Sequence, residues 1–388
     1  MKILIIVIYL SFISLGLPDA LLGSAWTTIS TDFKTNISNM GIATMIISCC
    51  SVISSLYSDK IANRFKTGNI VMISVVLTSI ALIGIYTSQS FMMICLYSIP
   101  LGFGSGAVDS ILNNFVAIHY KSREMNFIHC FWGVGATLGP FIMSMCLLKS
   151  NWRMGYLIIA IIQIVIIAIL YSCRNLFNRL DDKIQKIDEI ENTNDTKIQK
   201  KQLLTLTLVS FFCYCAIEAT TGAWASTYLV NKLNIKVEIA AKWVSIYYLG
   251  ITLGRFICGF ISDKLSNKKL IRFGQITIII GSILFMINRH ETIKPIGLIL
   301  IGLGCAPIFP ALIHETPYRF SKETSQKIIG LQIAIAYVGT ICIPPLFGII
   351  SKYTSTNILP YFILVLAMIL FITCEGINKI LKSEYKKI

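Results

Sequence analysis

Three carboxylates stand inside long apolar runs of this sequence: Asp19, Asp109 and Glu218. A charge in hydrocarbon costs on the order of several kcal/mol unless it is paired, hydrated or protonated. Low-dielectric surroundings disfavour the charged form of a carboxyl and bring its protonation toward neutral pH. Each of the three is therefore a candidate for reversible proton uptake. Each also has a plainer use. Asp19 can partner a neighbouring helix or sit exposed near an outer mouth. Asp109 can pair with Asn113, its i,i+4 neighbour. Glu218 can accept from a bound hydroxyl or hold two helices together. Asn113, Asn126, His129 and Gln332 add donors and acceptors suited to hydroxyl groups, with packing the plainer role for His129. Trp132, Trp224 and Tyr337 offer aromatic faces for stacking on a ring, and Trp224 serves equally as an interface anchor.

Other chemistries lack their residues. The twelve cysteines all lie within or at the ends of apolar stretches, where a thiol behaves as a small hydrophobe. Cys213-Tyr214-Cys215 has no second pair or histidine cluster at zinc spacing, so no metal site is expected. No H-E-x-x-H, Gly-rich phosphate loop or nucleophile–base pair is present, which argues against an enzyme and against a bound cofactor. The net charge of +15 does not indicate nucleic acid, because Lys and Arg fall between apolar runs and form no continuous basic face.

The elements that must hold these polar groups are apolar themselves. The chain is 55% hydrophobic and only 14% charged, with a mean hydropathy of +0.72. Charge this sparse cannot cover a soluble globule of 43.3 kDa. Apolar runs appear at about 3–27, 40–57, 69–88, 92–117, 126–148, 154–173, 203–229, 239–261, 271–288, 295–314, 328–349 and 359–378. Each is close to the roughly 20 residues that cross a hydrocarbon core of ~30 Å. Met1-Lys2 followed by Ile3–Leu10 has the look of a signal peptide at first. The run continues past Pro18 to Trp26 without a small-residue cleavage pattern, so it reads as a first span. Lys and Arg concentrate in alternate loops, around Lys60 to Lys66, Lys121 to Arg123, Lys264 to Arg272 and Arg319 to Lys327. The positive-inside rule then puts both termini in the cytoplasm of a multi-pass protein of the cell membrane. Residues 174–202 are polar and of mixed charge, and read as a cytoplasmic linker between six-span bundles at 1–173 and 203–388.

The two bundles repeat. Ser58-Asp59-Lys60-Ile61-Ala62-Asn63-Arg64 matches Ser262-Asp263-Lys264-Leu265-Ser266-Asn267-Lys268 at an offset of 204 residues. The same offset carries Val134-Gly135 onto Val338-Gly339 and Pro140 onto Pro344. Parallel repeats of this kind in secondary transporters pack about an axis along the membrane normal, with the solute site between them. The second loop, with Gly254-Arg255, Gly259, Asp263 and Lys268-Lys269, resembles motif A of the major facilitator superfamily. The first copy, with Asp59 and Arg64, departs from that motif in having Ser55 where Gly is usual. Arg255 is expected to pair with Asp263 or with helix-end carbonyls. The resemblance covers essentially the whole chain. It implies an all-α fold of twelve membrane helices in two six-helix pseudo-repeats, working by alternating access.

Finer features resemble the fucose/glucose permease-like branch. They are Gly16-Leu17-Pro18-Asp19 and Gly23-Ser24-Ala25-Trp26 in span 1, and Gly104-Ser105-Gly106-Ala107-Val108-Asp109 with Asn113-Asn114 in span 4. Span 5 adds Asn126, His129 and Gly133-Val134-Gly135 to Gly139-Pro140, and span 7 adds Glu218, Gly222 and Trp224. Characterised members of that branch are proton-coupled sugar symporters, so the resemblance implies a small-molecule solute, a sugar, with H+ as its partner, and Asp19 and Asp109 in coupling. Na+ remains an alternative coupling ion, since carboxylate and amide oxygens suit it too. Proton-driven efflux of drug-like or amphipathic compounds is the alternative function. The absence of an Arg near the middle of span 4 weighs against it. A monomer in the lipid bilayer is expected.

Overall fold

The computed structural model describes residues 2–19, 21–36, 39–149, 151–185, 197–233, 237–287 and 293–385. They form sixteen α-helices and, among the described residues, no strand. In chain order these are α1 (Lys2–Asp19), α2 (Leu21–Asp32), α3 (Met40–Leu56), α4 (Ser58–Arg64), α5 (Thr67–Tyr86), α6 (Phe91–His119), α7 (Ser122–Lys149) and α8 (Trp152–Gln185). They continue as α9 (Lys197–Leu233), α10 (Val237–Ile261), α11 (Asn267–Met286), α12 (Ile293–Cys305), α13 (Ile308–His314), α14 (Thr316–Phe320), α15 (Lys322–Tyr353) and α16 (Leu359–Tyr385). Within the described residues, eleven helical stretches are long and apolar enough to cross a bilayer, and α3 joined to α4 makes a twelfth. That pair bends by 53° at Tyr57. The bend separates the apolar part of the expected second span from the Asp59 loop, which is itself helical.

The molecule is arranged for hydrocarbon outside and polar groups inside. Met92, Leu96, Phe141, Leu148, Ile164, Phe273, Tyr361 and Ile372 are among the exposed large hydrophobics, whereas Ser51, Ser55, Ser110, Asn113, Gln163 and Thr207 are wholly or almost wholly buried. A soluble protein does not expose so much contiguous apolar side chain. With no water in the bilayer core, each buried hydroxyl must bond inside the protein. Thr78 Oγ1 bonds Gln163 Oε1 at 2.7 Å, and Gln163 Nε2 in turn donates to the Ser14 carbonyl at 3.1 Å.

The chain divides into two compact units. The first comprises residues 1–119, 127–192 and 323–334; the second comprises residues 120–126, 193–322 and 335–388. In the first, α3 and α6 pack through small residues. A Cβ on Gly102 would lie 2.3 Å from the Ile47 carbonyl oxygen, and one on Gly106 would lie 2.4 Å from that of Ser51. Ser51, Ser54 and Ser55 donate to the carbonyls of Gly102, Phe103 and Gly106 across the same seam, as expected for helices that associate without a hydrophobic driving force. Ser55, the departure from the repeated loop motif, is thus a buried hydrogen-bonding residue of this seam. In the second unit, α11 and α12 also approach through glycines, with Cβ atoms on Gly281 and Gly297 falling 2.8 and 2.9 Å from each other's carbonyl oxygens.

The segment 174–202, expected as a linker, is helical at both ends. Helix α8 continues past Cys173 to Gln185, and α9 begins at Lys197. Residues 186–196 of that segment lie outside the described residues.

Candidate functional site

The close crossing of α1 and α7 fixes Asp19. Cβ atoms on Gly16, Gly135 and Gly139 would fall 2.2, 2.3 and 2.2 Å from the carbonyl oxygens of Trp132, Ile13 and Leu17. Only backbones without side chains pass at that distance, and the passage brings Trp132 beside the end of α1. Trp132 Nε1 donates to Asp19 Oδ2 at 2.8 Å. Gly133, two residues before Gly135 on the same helix, faces open space instead.

Asp19 is exposed to a cavity of about 500 Å3 enclosed by helices of the first unit. Pro18, Leu22, Met40, Ile47, Ile85, Ile94, Leu101 and Pro140 give the wall its aliphatic character. Its hydroxyls are mostly committed: Ser24, Thr44, Ser98 and Ser105 donate to carbonyls of Leu21, Met40, Ile94 and Gly102 in their own helices. They therefore present lone pairs to a ligand. Tyr156 also lines the cavity, and its buried hydroxyl has no hydrogen-bond partner. Among the described residues Asp19 is the one charged group in this lining.

Asp109 lies on α6, half-buried, close enough to Asp19 for the two charges to repel. Asn113, one turn on, donates from Nδ2 to Asp109 Oδ1 at 2.7 Å and to the Asp109 carbonyl at 2.9 Å. Its Oδ1 lies 3.1 Å from His129 Nε2 on α7. The sequence pairing of Asp109 with Asn113 is present. The amide of Asn113, expected to face a solute, has both of its ends engaged within the protein.

The second unit holds a separate charged cluster. Arg255 Nη2 of α10 is 3.6 Å from Glu218 Oε1 of α9, and Tyr214 donates a short hydrogen bond to Glu218 Oε2. Tyr247 donates to the Glu218 carbonyl at 3.0 Å. This corrects the expected pairing of Arg255 with Asp263. Residues 255 and 263 lie eight apart, and Arg255 is buried beside α9, whereas Asp263 is in an exposed turn. Asp263 is paired with Arg123 at 3.4 Å, with both side chains near half exposure.

The remaining candidates are dispersed. Asn126 donates to the Ser122 carbonyl in its own helix. Trp224 Nε1 donates to the Pro344 carbonyl at 2.9 Å, and its ring packs edge-on to Phe347. Gln332 is buried and Tyr337 half-buried, both on α15. In the repeated loops, Asp59 sits in the first turn of α4, Arg64 lies over the ring of Phe65, the Gly259 carbonyl accepts from Ser262, and Lys268 opens α11. Among the described residues no group of three His, Cys, Asp or Glu could hold a metal ion.

The family model described as Major Facilitator Superfamily matches residues 8–204 and 206–377. The chain belongs to the major facilitator superfamily. Its two matched segments correspond to the halves that the 204-residue repeat delimits. Among curated relatives of this superfamily member, the glucose/mannose transporter GlcP of Bacillus subtilis (strain 168) is 24% identical over 277 residues, covering 69% of this chain and 68% of that protein. Among solved structures, the transporter FucP in its outward conformation matches with a TM-score of 0.76 at 11% identity, covering 96% of this chain and 98% of that one. The proton:xylose symporter XylE, bound to a bromodeoxyglucose, matches with a TM-score of 0.79 at 13% identity, covering 97% and 95%. At these identities the structures establish the fold.

Sequence reasoning missed several polar partners. Tyr214, which bonds Glu218 one turn on, was visible as an i,i+4 neighbour. Asn267 and His314 form a linked cluster: Ser122 Oγ donates to Asn267 Oδ1 at 2.5 Å, and Asn267 Nδ2 reaches His314 Nδ1 at 3.0 Å and Glu315 Oε1 at 2.9 Å. Its signal is the repeat itself, since the offset of 204 carries Asn63 onto Asn267 and Ser110 onto His314.

Proposed function

We propose that this superfamily transporter is a proton-coupled symporter of a small polar solute, a sugar, and that Asp19 and Asp109 carry the coupled proton. The observation that carries the reading is Asp19, among the described residues the one charged group lining a cavity of about 500 Å3, with Asp109 in the same unit. A cavity of that size holds a monosaccharide with room to spare. Its accessible lone pairs and carboxylate suit a ligand rich in hydroxyl donors, and its aliphatic walls suit the apolar face of a pyranose ring. Reversible protonation relieves the repulsion between the carboxylates, so proton binding and solute binding act on one charge. The names of GlcP, FucP and XylE agree with sugar as the solute class.

In this reading residues 1–173 and 203–388 form two six-helix bundles joined by 174–202. Both termini are cytoplasmic, and the protein works as a monomer in the cell membrane, as a carrier and not an enzyme. Glu218 is held as the third proton-coupling candidate, and its partner Arg255 belongs with the gating motif. Asn126, Trp132, Trp224, Gln332 and Tyr337 are held as solute-site residues, and His129 takes the packing role that the sequence also allows. Asp59, Arg64, Gly259, Asp263 and Lys268 belong to the gating loops. The predominantly aliphatic lining supports one second reading, proton-driven movement of an amphipathic compound. Counterflow in proteoliposomes separates the two: exchange of labelled hexose supports the sugar reading, and exchange of a labelled amphipathic amine with none of hexose replaces it.

A further inference from the structure

The hydrogen bonds around Asn113 have only one self-consistent arrangement. The backbone carbonyl of Asp109 is an acceptor and nothing else, so the Asn113 atom 2.9 Å from it must be the amide nitrogen. The same nitrogen sits 2.7 Å from Asp109 Oδ1. The amide oxygen is thereby turned toward His129 Nε2 at 3.1 Å, and an amide oxygen can only accept. His129 must therefore carry a proton on Nε2. Flipping the amide would set its oxygen against both the Asp109 carbonyl and the Asp109 carboxylate, so the Asp109 side alone fixes the orientation. Asn113 is fully buried, so no water can repair such mismatches.

We propose that Asn113 is a positioning residue for proton coupling: a fixed amide clamp that reserves Oδ1 of Asp109, leaves Oδ2 as the atom that gains and loses the proton, and holds His129 as its Nε2–H tautomer. This rests on the assignment of Asp109 to coupling. Protonation at Oδ2 leaves every bond of the clamp in place, because Oδ1 remains an acceptor from Asn113 in both states. The clamp thus lets Asp109 change charge without reorganising α6 against α7. Among the described residues the charged group acting on Asp109 is Asp19, at the end of α1, by repulsion, while the neutral His129 of α7 meets it only through the Asn113 amide. A solute hydroxyl reaching Asp109 has Oδ2 to bond, and competes there with the proton.

The test is an infrared titration of the purified full-length protein in lipid. The band of the protonated Asp109 carboxyl is identified by its loss in Asp109→Asn. A donor to a carboxylate favours the charged form, so Asn113→Ala raises the midpoint of that band by about one pH unit, the size of one charge-assisted hydrogen bond. Asn113→Ser, a milder change, moves it the same way. His129→Gln, which keeps a donor toward the amide oxygen, leaves the midpoint at the wild-type value. In parallel, 15N spectra of the four histidines show one signal, lost in His129→Gln, with Nε2–H in wild type and mixed tautomers in Asn113→Ala. A wild-type midpoint in both Asn113 variants overturns the clamp while leaving Asp109 in coupling. An Nδ1–H tautomer for wild-type His129 overturns it as well. If the Asp109 band does not titrate in wild type, the assignment of Asp109 to coupling fails, and the clamp with it.

Discussion

Two glycines of α7, two positions apart, should respond to alanine with opposite signs. A Cβ at Gly135 would lie 2.3 Å from the Ile13 carbonyl oxygen and 3.0 Å from the Leu17 nitrogen, both rigid backbone. Restoring ordinary contact requires α1 and α7 to separate by about 1 Å at their crossing, since a packed interior cannot absorb the overlap. Overpacking of this kind costs about 1–3 kcal/mol. The separation also stretches the 2.8 Å bond from Trp132 to Asp19, three residues away on each helix, and a bond to a charged group contributes about 1.5–3 kcal/mol. With the bond weakened and not removed, Gly135→Ala should destabilise by at least the overpacking cost and at most about 6 kcal/mol. Gly133 meets nothing within 4 Å, so Gly133→Ala keeps all contacts and gains about 0.5–1 kcal/mol from removing a glycine in a helix. Thermal unfolding of the purified variants, followed by intrinsic tryptophan fluorescence, measures both. The reasoning predicts a melting temperature below wild type for Gly135→Ala and at or above it for Gly133→Ala. Equal shifts, or a larger loss at Gly133, would refute the assignment of the crossing.

Three further outcomes follow from the charged clusters. Asp32 accepts from Trp152 and from Arg153 at 3.1 and 2.7 Å, and these bonds hold its carboxyl below the usual range. A depressed value stabilises above the unfolded value of about 3.9 and is lost as pH falls below it. The advantage of wild type over Asp32→Asn, under about 1 kcal/mol for so exposed a group, should thus be present at neutral pH and fade in acid melts. Arg123→Ala should change unfolding by less than about 1 kcal/mol, because the Arg123–Asp263 pair is near half exposed on both sides. Removing Glu218 alone, as Glu218→Gln, should destabilise by about 3–5 kcal/mol, and Glu218→Gln with Arg255→Met should recover most of that, as read by a double-mutant cycle of unfolding.

What the sequence makes legible depends on how local the signal is. The spans are legible because an apolar run of twenty residues has one meaning in a chain with so little charge. The break at Tyr57 is not, because nothing in Leu56-Tyr57-Ser58 forbids a straight helix; the bend is a tertiary outcome. The extension of α8 to Gln185 was hidden by its charge, which marks solvent and says nothing against helix. Asp109 with Asn113 is readable from spacing within one helix, and Asp19 from its cost in a bilayer. Their neighbours are not readable. Trp132 reaches Asp19 only through the crossing of α1 and α7, and His129 reaches Asn113 only through α7 meeting α6, neither of which spacing along one helix can supply. Arg255 misled for the same reason: its nearest acid in sequence is Asp263, and its partner in space is Glu218.

The central claim is that carboxylates of the first unit couple solute movement to protons. The most direct measurement is uptake of radiolabelled hexose into proteoliposomes under an imposed inward proton gradient, for wild type, Asp19→Asn and Asp109→Asn. The account predicts that wild type accumulates hexose above its external concentration only while the gradient lasts, and that Asp109→Asn abolishes accumulation. Gradient-driven accumulation that survives in both variants would contradict it.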